Sequence, residues 1–304
     1  MATKIDMHIH STCSDGSLSP ENILKVAHKN GVKILSITDH DSVSAYTPQF
    51  LKKAEQYGIS VINGCEMSTK INGVGFHVLG YNMDLKNENL LKTLDMLQNA
   101  RVNYVYDVSK VLQKIGYIMN PEDIKDAPSV GKPHVTKNIL TNPENHNKLI
   151  SDFGHIPNVG EFIETILNEG CPAFVEKFHI SPNEAVKVIK SAGGTAVLAH
   201  PVAYIYQDGV SRDEIVELVK NMNPDGIESY YLFTESNGNE IDESAFWTKF
   251  SKDKNLLCTI GSDYHDSWKG FAEIGFSNRD FSIPDKDLER IISRFKQAKE
   301  KLHY

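Results

Sequence analysis

Residues 5–24, IDMHIHSTCSDGSLSPENIL, decide the fold. Ile5, Met7 and Ile9 alternate with Asp6, His8 and His10, the two-residue period of a short strand with one polar face. Ser19-Pro20-Glu21 then supplies an N-cap and an N1 proline for a helix that ends near Asn30-Gly31. A strand handing on to a helix is the first half of a βα unit. His8 and His10 lie two apart on that strand, so both rings point the same way, as chelation of a single ion requires.

The same rhythm recurs along the chain. Val32 to Thr38 (VKILSIT) is a β-rich run with Asp39-His40-Asp41 at its carboxyl end. A second helix ends near Tyr57-Gly58, and the strand Ile59 to Asn63 runs into Glu66. Asn72-Gly73 predicts a turn before Phe76-His77-Val78-Leu79-Gly80. After residue 173, Ser181-Pro182-Asn183-Glu184 opens a helix closing at Gly193-Gly194, and Thr195 to Ala199 delivers His200-Pro201. Gly226 to Ser229 and Leu256 to Ile260 are further strands, the second leading to Gly261-Ser262-Asp263-Tyr264-His265. Leu288 to Leu302 is a closing amphipathic helix.

Between these stretches the pattern changes. Leu90, Leu91, Leu94, Leu97, Val102, Val105, Val108, Val111 and Leu112 recur at helical spacing, and residues 119–160 are rich in Pro, Asn and His. Residues 82–173 are therefore expected to be an inserted helical subdomain, with 1–81 and 174–304 forming one discontinuous α/β domain.

The whole chain of 304 residues has 40% hydrophobic and 24% charged residues, ordinary values for a globular protein. A formal net charge of −8 excludes the global basic footprint of a duplex-binding protein. Cys13, Cys65, Cys171 and Cys258 form neither a CxxC nor a secreted-type framework, and no apolar run reaches the roughly 18 residues of a membrane span. A cytoplasmic protein with neither membrane nor duplex nucleic acid as partner is the expectation. Composition leaves the oligomeric state open.

His8/His10, His40, Glu66, His200 and Asp263/His265 all fall at or just after the carboxyl ends of expected strands. In a parallel barrel those ends converge on one face, where active sites form. Histidines and carboxylates together make an N/O ligand set suited to Zn, Mn, Fe or Mg rather than to thiolate chemistry. His28, His146, His155, His179 and His303 lack the strand-end setting and are expected to be structural or exposed. Cys13 reads as a small packed residue, Glu228 as a strand-end group on the active face or equally one that orients a ligand, and Tyr230, Tyr231 and Phe233 as core aromatics or a base platform.

The segments HIHSTCSDGSLSPENIL, ITDHDS, FHVLGY, AHP and GSDYH, with the Glu66 region, resemble the motifs of the polymerase and histidinol phosphatase (PHP) superfamily. The resemblance runs from residue 8 to residue 265 and skips the insert. It implies a distorted (β/α)7, TIM-like barrel with two or three divalent metal ions (Mn, Fe, Zn or Mg). It assigns His8, His10, Glu66 and Asp263 to one ion. Glu66 would bridge to a second ion completed by His77 and His200, and Asp15, His40 and His265 would hold a third. A bridging carboxylate lets two cations approach within about 3.5–4 Å and clamp an in-line displacement at phosphorus, with a hydroxide between them as nucleophile. Asp15, His40 and Glu66 are then the catalytic residues.

The position of the insert resembles the subgroup that dephosphorylates nucleotides, including AMP, nucleoside 3′,5′-bisphosphates and RNA 5′ ends. That resemblance places Arg101 and Lys132-Pro133-His134-Val135 against the substrate phosphate, beside Asp15 and His40. Where the subgroup has an arginine before the proline this chain has Lys132, a point charge in place of a fork. A histidinol-phosphate-type phosphatase shares the metal centre and is the alternative. A non-catalytic nucleotide-binding module would have no need of so many buried polar groups. An amidohydrolase would require a lysine placed to carry a bridging carbamate, for which the sequence offers no clear candidate.

Overall fold

The computed structural model describes residues 4–235, 237–266, 272–277 and 283–301. The chain divides into two compact units, Met1–Leu94 with Ile180–Tyr304, and Asp95–His179.

In the first unit strands and helices alternate from the start. Strand β1 (Lys4–Asp6) leads to helix α1 (Pro20–Lys29), β2 (Val32–Leu35) to α2 (Pro48–Gln56), and β3 (Ser60–Val61) runs on to β4 (Gly64–Ile71). Ser19 and Thr47 accept hydrogen bonds from the backbone of Asn22 and Phe50, and each precedes a proline in the first turn. β4 turns at Asn72 and Gly73, both with positive φ, into β5 (Val74–Tyr81). Two successive left-handed residues give a turn whose twist matches paired strands. Helix α3 (Glu88–Lys114) crosses from this unit into the second.

The second unit is helical: α4 (Lys132–Thr141), α5 (His146–Phe153) and α6 (Val159–Phe162), which passes into a π-turn over Ile163–Leu167. Val105, Val108 and Leu112 of α3 pack with Val135, Ile139, Leu149, Phe162 and Leu167 in its core. Within the apolar run at the start of α3, Leu90, Leu94 and Leu97 are buried, whereas Leu91 is 43% exposed. One residue is about 100° of helix, enough to turn Leu91 off the buried stripe.

The first unit resumes with α7 (Pro182–Ser191), β6 (Thr195–Leu198), α8 (Pro201–Tyr206), α9 (Arg212–Met222) and β7 (Gly226–Tyr230). A small hairpin of β8 (Leu232–Thr234) and β9 (Glu240–Asp242) follows, then α10 (Ser244–Asp253) and β10 (Leu257–Ile260). A hairpin of β11 (Ala272–Glu273) and β12 (Phe276–Ser277) precedes α11 (Asp285–Lys301). Neither hairpin carries a sequence pattern strong enough to be foreseen, since their strands have only two or three residues each.

β1, β2 and β3 form a parallel sheet, and a second sheet has the order β10-β7-β6-β5-β4 with β5 antiparallel to both neighbours. Backbone bonds link the chain beyond β1 to the chain at β10, from Met7 N to Ile260 O (3.0 Å) and His10 N to Tyr264 O (2.8 Å). On the other side Asp41 N donates to Glu66 O and Glu66 N to Asp39 O. Met7, Leu79, Tyr81, Val197, Ala199, Ile291 and Phe295 share one buried cluster, and Ile9, Leu24, Leu35, Ile37, Phe50 and Tyr264 another. No described helix is long and apolar enough to cross a membrane.

Ser211 closes a capping box with Glu214 at the start of α9, whose Ile215, Leu218, Val219 and Met222 are buried. Ser211→Ala is expected to cost about 1 kcal/mol, read as a lower urea midpoint. An unchanged midpoint would mean that α9 is held by its apolar face alone.

Candidate metal centre

Most of the expected ligands follow strand ends, but two do not. β1 ends at Asp6, with His8 and His10 just beyond; β6 ends two residues before His200; β10 ends three residues before Asp263. Glu66 instead lies inside β4, and His77 inside β5. In place of the expected strand Ile59 to Asn63 stand the short β3 and a separate β4, because the hairpin with β5 gives every residue of 64–71 a partner. Ser68 pairs with His77 and Glu66 with Leu79.

Glu66 is buried, and five imidazoles surround its carboxylate. Oε1 lies 3.4 Å from His8 Nε2, 3.1 Å from His77 Nδ1 and 3.1 Å from His200 Nε2. Oε2 lies 3.2 Å from His10 Nε2 and 3.0 Å from His40 Nδ1. Asp263 Oδ1 stands 3.3 Å from both His8 Nε2 and His10 Nε2, which are themselves 3.2 Å apart. Further out, Asp15 lies 3.5 Å from His10 Nδ1, 3.8 Å from His40 Nε2 and 3.5 Å from His265 Nε2. The His10 and His265 rings stack with centroids 4.0 Å apart.

This arrangement fits metal ions better than it fits hydrogen bonds alone. Five rings cannot all be charged around one carboxylate, and two Nε2 atoms facing each other cannot both be satisfied by one proton. Lone pairs converging on common points are what a cation needs. Among the described residues, three groups have ligand atoms within 4.8 Å of one another: His8-His10-Glu66, His40-Glu66-His77, and His10-Asp15-His40-His265.

Electrostatics holds the acids ionised. Burial opposes the charges on Glu66 and Asp263, yet the neighbouring histidines outweigh it and keep both carboxyls well below the usual range. Burial likewise disfavours charge on His8 and His10. Glu228, Glu66 and Asp263 nonetheless raise His8 well above the usual imidazole range, and bonds to Asp263 and Glu66 raise His10 to about 10. His40 goes the other way, down to about 3, because burial, with repulsion from His10 and His77, outweighs the pull of Glu66 and Asp15.

Other carboxylates hold the loops in place. Asp39 accepts from Ser11 N (2.7 Å) and from the hydroxyls of Ser11 and Ser14 (both 2.6 Å). Asp6 accepts from Ser262 N and Oγ and from Gly275 N, and Asp41 accepts from Ser68 N. Tyr231 donates to Asp263 Oδ2, and Tyr204 Oη accepts from His77 N. Sequence reasoning passed over Asp6, Asp39 and Asp41, although Asp6 shares the polar face of His8 and His10, and the other two flank His40. The tyrosines carried no comparable signal of their roles.

Of the remaining histidines, His28 bonds Tyr57 O and His155 bonds Glu161, while His303 lies outside the described residues. Cys13 packs against the cluster around Ile9. Tyr230 is buried and bonds Asp287, so it is not a base platform.

Within the second unit, Arg101 is only 8% exposed and donates to Ser129 O, and Lys132 donates to Asn168 Oδ1 at 2.8 Å. Pro133 occupies the first turn of α4, and His134 is half-buried. Val135, expected against substrate, is instead fully buried in that unit's core, where an apolar side chain gains most from packing.

The chain belongs to the PHP domain family, whose pattern matches residues 6–259. It is 29% identical over 275 residues to a 5′-3′ exoribonuclease of Haemophilus influenzae, covering 90% of this chain and 94% of that one. It is 24% identical over 281 residues to a 3′,5′-nucleoside bisphosphate phosphatase of Chromobacterium violaceum, covering 89% and 90%. The crystal structure of a putative metal-dependent phosphoesterase from Bifidobacterium adolescentis superposes with a TM-score of 0.73 at 20% identity, covering 97% of each chain. The mixed α/β fold is thus shared.

Gly261 is where the site tolerates least. A methyl group there would lie 2.1 Å from His8 Cβ and 2.4 Å from Glu228 Oε1. Gly261→Ala is expected to displace His8 at a cost of about 1–3 kcal/mol and to lower the bound metal per chain, measured by elemental analysis after gel filtration. Full metal content would show that the loop yields without moving the ligand.

Proposed function

We propose that the chain is a metal-dependent phosphoesterase that hydrolyses phosphate monoesters of nucleotides: AMP, nucleoside 3′,5′-bisphosphates and the 5′ ends of short RNA. One observation carries this reading, the buried Glu66 carboxylate shared among five imidazoles with Asp263 and Asp15 beside them. The names of the exoribonuclease and bisphosphatase relatives direct it to nucleotides.

Two or three divalent ions fit the donor set. His8, His10, Glu66 and Asp263 would hold one, Glu66 with His77 and His200 a second, and Asp15, His40 and His265 a third. When bound, such ions supply Lewis-acid activation of the phosphate and of water. The chain's own residues fix where that happens. Glu66 turns Oε1 to His8, His77 and His200 and Oε2 to His10 and His40, and Tyr231 donates to Asp263 Oδ2. Asp15, about a third exposed, and His40, less so, are the catalytic residues placed to meet substrate.

We also read the two sheets as parts of one distorted (β/α)7, TIM-like barrel. The bonds from Met7 and His10 to the β10 side, and between Glu66 and residues 39–41, support closure. Residues 82–173 are assigned as the substrate-capping insert, with Arg101, Lys132, Pro133 and His134 as its phosphate-facing groups. Support is local: α4 begins at Gly131 without a side-chain cap, and Arg101 and Lys132 lie at that end. A helix N-terminus with two cations suits an anion. Four free cysteines suit a reducing, cytoplasmic setting.

Activity should be lost on chelation and restored best by Mn or a comparable ion, and His8→Ala, Glu66→Ala and Asp263→Ala should each remove most turnover. Full turnover in EDTA after exhaustive dialysis would end the metal mechanism. Asp15→Asn and His40→Ala should both lower kcat on several phosphate esters; wild-type values from both would remove them from the catalytic set.

The insert has its own test. Charge-assisted contacts to phosphate contribute roughly 1.5–3 kcal/mol each, so Arg101→Ala or Lys132→Ala should lower kcat/KM for nucleotides about ten- to a hundredfold. p-Nitrophenyl phosphate, with no nucleoside to hold, should lose less. Equal losses on both esters would assign these residues to the fold or the chemistry.

A further inference from the structure

Glu228 is fully buried in the middle of β7, which lies between β6 and β10, and stands outside the proposed ligand set. Both its oxygens lie 3.1 Å from His8 Nδ1. Oε2 also accepts the backbone N–H of His200 at 2.9 Å. One carboxylate therefore grips two residues of the metal cluster that are far apart in sequence, one by its ring and the other by its backbone.

Each grip has a consequence. A carboxylate accepts, so His8 keeps a proton on Nδ1, and Nε2, which faces His10, Glu66 and Asp263, is the nitrogen that would offer its lone pair to a metal ion. His200 sits at φ 23°, ψ 61°, a region that residues with a side chain rarely enter, and it precedes Pro201. Such a conformation costs on the order of 1–3 kcal/mol and persists only where surroundings impose it. The bond to Glu228 is one such imposition, and it holds His200 Nε2 3.1 Å from Glu66. Gly261 leaves the space: any side chain there would strike both His8 and Glu228.

We propose that Glu228 is the positioning residue of the metal centre, setting the His8 tautomer and the His200 backbone together and thereby the affinity for metal. The proposal rests on the metal reading above and goes beyond it by naming what holds the ligands. Glutamine is nearly isosteric but offers one acceptor and one donor. It can serve His8 Nδ1–H or His200 N–H through its oxygen, and its amide then presents a proton where a lone pair is needed.

The test measures Zn and Mn dissociation constants by competition with a chromophoric chelator, on wild type, Glu228→Gln and Glu228→Asp. Glu228→Gln is expected to weaken binding by about ten- to a hundredfold, and its activity deficit should shrink as Mn is raised. Glu228→Asp, charged but shorter, should fall between. Because these variants could fail to fold, circular dichroism accompanies each. A second measurement needs only wild type: long-range 1H–15N correlation on the zinc-loaded protein should show His8 protonated at Nδ1 and unprotonated at Nε2. Affinity within twofold of wild type in folded Glu228→Gln, or a His8 proton on Nε2, would overturn the proposal. A wild type that binds neither ion would overturn the metal reading itself, an outcome distinct from either.

Discussion

Burying a carboxylate among five imidazoles is the constraint from which the rest of the first unit follows. An isolated ionised group in an apolar interior would take up a proton to escape the cost of desolvation. Glu66 does not, because its neighbours hold its carboxyl well below the usual range. Those neighbours come from the chain after β1, after β2, within β5 and after β6, so the charge balance is met only when the strands are assembled. The site thus exists only in the assembled fold.

The cost of that assembly appears in the backbone. His200, Asp41 and Asp263 have positive φ without being glycines, and all three lie at or beside the cluster. Strain of this kind survives where hydrogen bonds over-determine it. Here the partners are visible: Glu228 for His200 N, His8 O for Asp263 N, and Glu66 O for Asp41 N. Each strained residue is tied by its own amide to a segment that carries a ligand. Glycines do the complementary work by vacating space, as Gly16 does where a methyl group would meet His10 O at 2.2 Å.

Much of this was legible in the sequence because strand-end polarity is a strong signal. Alternation at residues 5–10 and the apolar runs before His40, His200 and Asp263 locate ligands without knowledge of the fold. The signal weakens where a ligand is internal to a strand. Glu66 and His77 sit in a hairpin, where period-two alternation places them on a face but says nothing of a strand end. Supporting groups are harder still. Asp6 and Asp39 are distinguished by what they accept, and hydrogen-bond partners up to 269 residues distant leave no mark on local pattern. In the second unit, Val135 shows the opposite error: a motif neighbour of Lys132 and His134 whose helical phase turns it into the core.

The hierarchy of these groups has a physical order. Histidines reach the cluster with their nitrogens, but an imidazole offers two nitrogens and rotates about two bonds, so reach alone does not define a ligand. A carboxylate behind the ring removes both freedoms at once, fixing the proton and the plane. Glu228 does this for His8, while Tyr204 reaches the His77 backbone and Tyr231 reaches Asp263. His40 is held differently, with Nδ1 facing Glu66 and Nε2 facing Asp15, both proposed ligands.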